Sequence, residues 1–316
     1  RTVENEENLP VTINLKFKKD FLKADFGKVY GSGGSRDRYE TGGLFNMFRD
    51  TLQVSLIGYG NNINRQSFDY KELNQQAGLG RAENYGFNVF GGQSYQGVSN
   101  TIGAGINVNN DWGQKTKLNI MYMYNYKKEN NEYISEATSL YNGIEEASNA
   151  TNNSTNRPQH HRINGLLRHR FDTTSYVQIT PSFSISNTSY DSENFSKSGT
   201  AANPLTQRLS EDNKINRSLR YNHRFYLEKQ FSKQHLLSFS NNITLDNQKI
   251  NNKSNLDLIM YQEDIPQSYL WTNTIHNRKN KNVHLSTAYY NKVIKKLNFD
   301  VYFTTNLYQE LPLNEY

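Results

Sequence analysis

The sequence predicts an all-β chain whose antiparallel strands form part of a transmembrane β-barrel. Three observations predict it: apolar residues recur at every second position in segment after segment, the composition is polar yet rich in aromatics, and the connections between strands alternate between long and short. The clearest segment is Ile102 to Tyr126. Ile102, Ala104, Ile106 and Val108 alternate with Gly103, Gly105, Asn107 and Asn109, which is the period of a strand with one apolar face. Asp111-Trp112-Gly113-Gln114 supplies turn residues, and Leu118, Ile120, Tyr122, Tyr124 and Tyr126 then alternate with Asn119, Met121, Met123 and Asn125. The apolar face ends in three tyrosines. Tyr122, Tyr124 and Tyr126 each carry an apolar ring and a polar hydroxyl, which suits the aromatic girdle of a transmembrane strand. An ordinary sandwich hairpin with a tyrosine-rich surface accounts for the same residues.

The remaining elements follow in order. Val11, Ile13, Leu15 and Phe17 alternate with Thr12, Asn14, Lys16 and Lys18 after the acidic stretch Glu4 to Asn8. Ala24 to Ser32 and Arg38 to Phe48 form a hairpin across Gly33-Gly34-Ser35-Arg36-Asp37, and Arg49-Asp50 leads tightly into a strand over Thr51 to Gly60. A polar connection then runs from Asn61 to about Ser99. After Tyr126 a second long segment reaches His160 through the Asn/Ser/Thr-rich Asn149 to Asn156. Ile163 to Phe171 and Tyr176 to Asn187 pair about Asp172-Thr173-Thr174-Ser175, with Pro181 predicting a bulge or an unpaired position. Polar gaps at Ser189 to Asp212 and Asn251 to Asn273 separate Ile215 to Asp246, turning at Ser232-Lys233-Gln234, from a final pair turning at Val293-Ile294-Lys295-Lys296. About eleven strands follow the first alternation.

From Asn61 onward the connections run long, short, long, short. In an antiparallel meander this puts every short turn at one rim and every long connection at the other, as in barrels with short periplasmic turns and long extracellular loops. A soluble sandwich has no reason to sort its loops so.

Bulk composition agrees. The 316 residues carry a formal charge of +6, are 35% hydrophobic and include 22 Tyr and 16 Phe, with a mean hydropathy of -0.85. That is poor in core material for a soluble globule but rich in rings for a disordered chain. No apolar run is long enough for a spanning helix, which leaves spanning strands open. Cysteine is absent, so there is no disulfide framework and no thiolate metal site. Residues 1 to 20 lack the pattern of a signal peptide, and the chain reads as a piece of something longer. The basic residues are scattered along strands, so no nucleic-acid partner is expected.

With the apolar rows facing lipid, Arg162, Arg168 and Arg170 share the opposite side of one strand with Asn164, and Arg220 and Arg224 share it with Asn222. Such a basic, lumen-facing wall would attract an anionic solute or hold an acidic plug; the alternative is a solvated wall whose charges pair with nearby carboxylates. His160 and His161 point to opposite faces of an extended chain and have no third ligand at recognisable spacing. No nucleophile, acid-base couple or phosphate loop stands out, so neither catalytic residues nor a cofactor or metal is expected, and the chain is not read as an enzyme.

The strings TINLKFKKD, FGKVYGSGGSRDRYETGGLFNMF, LQVSLIGYGNNINRQSFDY and GVSNTIGAGINVNNDWGQKTKLNIMYMYNY, within Val11 to Tyr70 and Gly97 to Tyr126, resemble the outer membrane beta-barrel family of Bacteroidetes, relatives of TonB-dependent receptors. The resemblance covers about the first 125 residues. It implies that residues 1–21 end a plug domain and that residues 22–316 open a barrel of about 22 strands, of which this chain supplies roughly half. It also implies a location in the cell outer membrane and uptake of a large solute through a plugged lumen. Its implied partners are outer membrane lipid, the protein's own plug domain and a TonB complex reached through a segment outside these residues. A surface lipoprotein is a further candidate partner. A non-transporting surface barrel whose long loops bind a partner or polysaccharide is the other reading.

Overall fold

A computed structural model describes residues 23–65, 68, 97–141, 144–200, 203–261, 268–294 and 297–315. The Val11 to Phe17 alternation and most of the Asn61 to Ser99 connection lie outside them. Eleven strands form one sheet: β1 (Lys23–Gly33), β2 (Tyr39–Arg49), β3 (Leu52–Asn61), β4 (Val98–Trp112), β5 (Thr116–Tyr141), β6 (Ile144–Asp172), β7 (Ser175–Gly199), β8 (Pro204–Ser232), β9 (His235–Met260), β10 (Ser268–Ile294) and β11 (Leu297–Glu315). Each pairs antiparallel with its neighbours in sequence, and β1 and β11 are not joined, so the sheet is open.

The short turns expected at one rim are present, but the strict alternation of long and short connections is not, since β5 and β6 are only two residues apart at the opposite rim. β2–β3, β4–β5, β6–β7 and β8–β9 close through two or three residues at one rim. Asp50 and Gly113 take positive φ (55° and 61°) in the first two of these, which lets so short a link reverse the chain. At the opposite rim the expectation of long loops is corrected. Lys127 to Tyr141 and Ile144 to His160 are not loop but paired strand, as are most of Ser189 to Asp212 and Asn251 to Asn273. Polar side chains do not prevent this. Where both faces of a ladder are solvated, Asn, Ser and Thr remain compatible with backbone pairing, and sequence periodicity fades because neither face needs to be apolar. β5 through β10 each run 25 to 29 residues.

The longest connection, from β3 to β4, is tied at its ends. Asn64 Oδ1 accepts from the Ser99 backbone N–H at 2.8 Å, and its Nδ2 donates to the Gly97 carbonyl at 2.8 Å. Phe68, within this connection, is fully buried edge-on against Tyr30 and Tyr59. Tyr59 in turn lies across Gly103, where a Cβ would come within 2.4 Å of the ring, so only glycine admits the tyrosine there.

Pro181 keeps its register with β8 opposite His223. Toward β6 the ladder lapses between Asn164/Ser182 and Leu167/Ile179 without a register shift. Proline has thus left a locally unpaired position rather than a bulge, as its missing N–H requires. The β5–β6 ladder lapses the same way beside Pro158, between Tyr126/Gln159 and Glu129/Asn156.

Candidate functional site: the polar face

Register converts the alternation of single strands into rows that cross the sheet. Phe45, Leu56, Ile106, Tyr122, Ile163, Phe183, Tyr221 and Leu245 are successive cross-strand partners from β2 to β9. One residue along each strand, Asn46, Ser55, Asn107, Met121, Asn164, Ser182, Asn222 and Thr244 are likewise partners. The first row is apolar and the second almost wholly polar. Their burial is the reverse of a soluble protein's: Ile106 is 39% and Ile163 46% exposed, whereas Asn46 and Asn107 are 0% exposed.

The covered polar face is built from carboxamides. Asn119 Nδ2 donates to Asn107 Oδ1 at 2.6 Å and to Asn109 Oδ1 at 2.7 Å, and Asn109 Nδ2 donates to Gln53 Oε1 at 3.1 Å. Asn125 donates to the Tyr59 hydroxyl at 2.6 Å, and Ser182 to Asn164 Oδ1 at 2.7 Å. These partners satisfy groups that burial would otherwise penalise. A smaller apolar knot of Leu44, Ile57, Tyr59, Phe68, Met121 and Met123 sits among them. Asn46 differs: among the described residues neither of its carboxamide atoms has a hydrogen-bond partner, and Asn119 Oδ1 is likewise left without one.

All five arginines read as a basic wall share this face by register, Arg162 and Arg220 in one row and the others nearer the short rim. They do not act as one cluster. Arg220 is 3.2 Å from Asp246 Oδ2. Arg168 donates to Gln178 Oε1 and lies over the Tyr176 ring, with 6.0 Å to its centroid. Arg170 stands opposite Tyr176, which is itself opposite Glu228. Arg224 lies opposite both Thr180 and Asn242. Tyr122, Tyr124 and Tyr126 lie on the other, apolar face, where Tyr122 and Tyr124 pack on His161 and the Tyr122 hydroxyl is 2.9 Å from its Nδ1.

Two features were not apparent from single-strand patterns. The carboxamide network was visible only as asparagines at alternate positions, because Asn107, Asn109 and Asn119 meet through the β4–β5 register. The second is a groove of about 950 Å³ on the strand extensions, to which the seven strands from β4 to β10 contribute, lined by residues that include Asn130, Glu132, Glu193, Glu211, Lys253 and Trp271. Comparison with protein-family models and with curated proteins finds no match to this chain.

Proposed function

We propose that this chain is part of the barrel of a TonB-dependent-receptor-like outer membrane protein, which takes a large solute across the membrane through a plugged lumen. The observation that carries the reading is the inverted polarity of the sheet, with apolar and polar rows separated over eight strands and the carboxamide-rich row buried from β2 to β6. A lipid-exposed barrel needs this arrangement and a soluble sheet does not tolerate it. The dimensions agree. From the turn at Lys115 to Tyr124 the apolar face extends about nine residues, roughly 30 Å of strand. At a tilt near 40° this covers about 23 Å of membrane normal, against about 25 Å for an apolar band. The strands from β5 to β10 then continue about 15 residues further, roughly 50 Å beyond the band.

In this reading the covered face is the lumen wall. Asn46, buried with both amide atoms unused, and the carboxamide rows around it offer neutral hydrogen bonds to a plug that must be held and released. The arginines contribute positive potential moderated by Asp246 and Glu228. The Trp271 groove favours a second reading, a surface barrel whose extensions bind a partner or polysaccharide, because a ring beside carboxamides and carboxylates suits a sugar. Cysteine labelling of the full-length protein in intact cells tests the orientation, with one probe at Ser139 near the long rim and one at Thr173 in a short turn. Labelling at Ser139 alone is expected. Equal labelling at both, or at neither, would return the chain to a soluble β domain.

A further inference from the structure

Resting on the membrane reading, we infer that the apolar face ends in a binding belt for anionic lipid headgroups, centred on Arg217 and Lys249. Just past the apolar rows, Tyr126, Gln159, Asn187, Arg217 and Lys249 are successive cross-strand partners from β5 to β9. In the next row Arg157, Ser189, Ile215 and Asn251 are partners, and Lys128 lies two residues beyond Tyr126 on β5. Four cations therefore stand in two adjacent rows, which hold no aspartate or glutamate between β5 and β9; the second row reaches Glu315 on β11. The sign then reverses. The following row is mixed, with Asp191, which pairs with Arg157, and Lys253, and the row beyond it is acidic, with Glu132, Glu193 and Glu211.

This zoning is a charge pattern along the strand direction: apolar, basic, acidic. Arg217 and Lys249 are direct cross-strand partners, and like charges so placed destabilise a sheet unless an anion lies between them. Both are exposed. A pocket of about 490 Å³ opens at the same level, lined by Tyr126, Arg157, Gln159, Asn187, Ile215 and Arg217 among others. It offers guanidinium forks, carboxamide donors and a tyrosine at the edge of an apolar surface. A headgroup phosphate meets the guanidinium, while its acyl chains lie along Tyr124, Ile185 and Leu219 in the row below. A free phosphate would use only the polar half of such a site. The apolar floor argues for a lipid.

The test uses the full-length protein in neutral detergent, with phosphatidylglycerol and phosphatidylcholine of matched chains, and native mass spectrometry to count retained lipid. The wild type is expected to retain phosphatidylglycerol about tenfold better. The double variant Arg217→Glu/Lys249→Glu should bring the two lipids to parity, and millimolar inorganic phosphate should leave retention unchanged. Equal retention by the wild type, or selectivity that survives charge reversal, would overturn the belt. Full displacement by inorganic phosphate would also overturn it, in favour of a free-anion site. Recovery of the same protein in the outer membrane fraction separates the two failures. Recovery without lipid selectivity sinks only this inference, while a soluble product sinks the membrane reading as well.

Discussion

Asn119 joins two neighbouring carboxamides through one side-chain nitrogen, at a position where none of the three residues is more than 1% exposed. Replacing it with alanine removes a donor that Asn107 and Asn109 share. Asn119→Ala is therefore expected to destabilise the sheet by about 1–3 kcal/mol, read as a lower urea midpoint, whereas Asn149→Ala on the half-solvated extension should leave the midpoint unchanged. Asp172 poses a different question, because it is exposed in the β6–β7 turn. Its carboxylate accepts from the Thr174 hydroxyl at 2.7 Å, from Lys229 Nζ at 3.0 Å and from the Thr174 backbone N–H at 2.7 Å. The Thr174 hydroxyl first, then Lys229, hold its pKa below the usual carboxylate value of 3.8. A depressed folded pKa gives stability that is present above the unfolded value and is lost as pH falls through the folded one. The unfolding midpoint of the wild type should therefore fall below about pH 4 more steeply than that of Asp172→Asn. Parallel curves would show that the turn contributes nothing.

Strands show how far sequence patterns reach. β4 and the first half of β5 were legible because one face is apolar and the other buried, so each position has a preferred residue class. The outer halves of β5 to β10 were not. Residues such as Asn149 to Asn156 carry no period, yet their backbone groups find partners in the ladder all the same. The lapses at Pro158 and Pro181 follow a local rule and were partly foreseen. The basic belt was hidden for another reason: Lys128, Arg157, Arg217 and Lys249 come from four strands and meet only through register. The membrane reading assigns the two parts of a strand different solvents, and one pair of substitutions separates them. Ile120, midway along the apolar band, is 48% and Ile134 63% exposed. Arginine at Ile120 should cost about 2–4 kcal/mol in vesicles, while arginine at Ile134 should cost nothing measurable. In a soluble sheet both substitutions would be neutral.

At the scale of the whole molecule the sheet is open, and among the described residues β1 and β11 each present one edge without a partner strand. In hydrocarbon an unsatisfied backbone group costs several kcal/mol, and in water a bare edge templates aggregation. Expressed alone in plain buffer, these 316 residues are expected to aggregate; a monomer that melts cooperatively would contradict the need for further strands. The central claim is narrower, that the apolar face meets lipid while the carboxamide face is enclosed. Because the chain has no native cysteine, single cysteines can be placed along β5 without background. The decisive measurement is spin-label accessibility at successive positions from Leu118 to Asn130 of the full-length protein in vesicles. Contact with membrane-dissolved oxygen should peak at positions 118, 120, 122 and 124, dip at 119, 121, 123 and 125, and give way to a water-soluble relaxant beyond Lys128. Equal access of the water-soluble relaxant to the apolar positions would place that face in water and contradict the account.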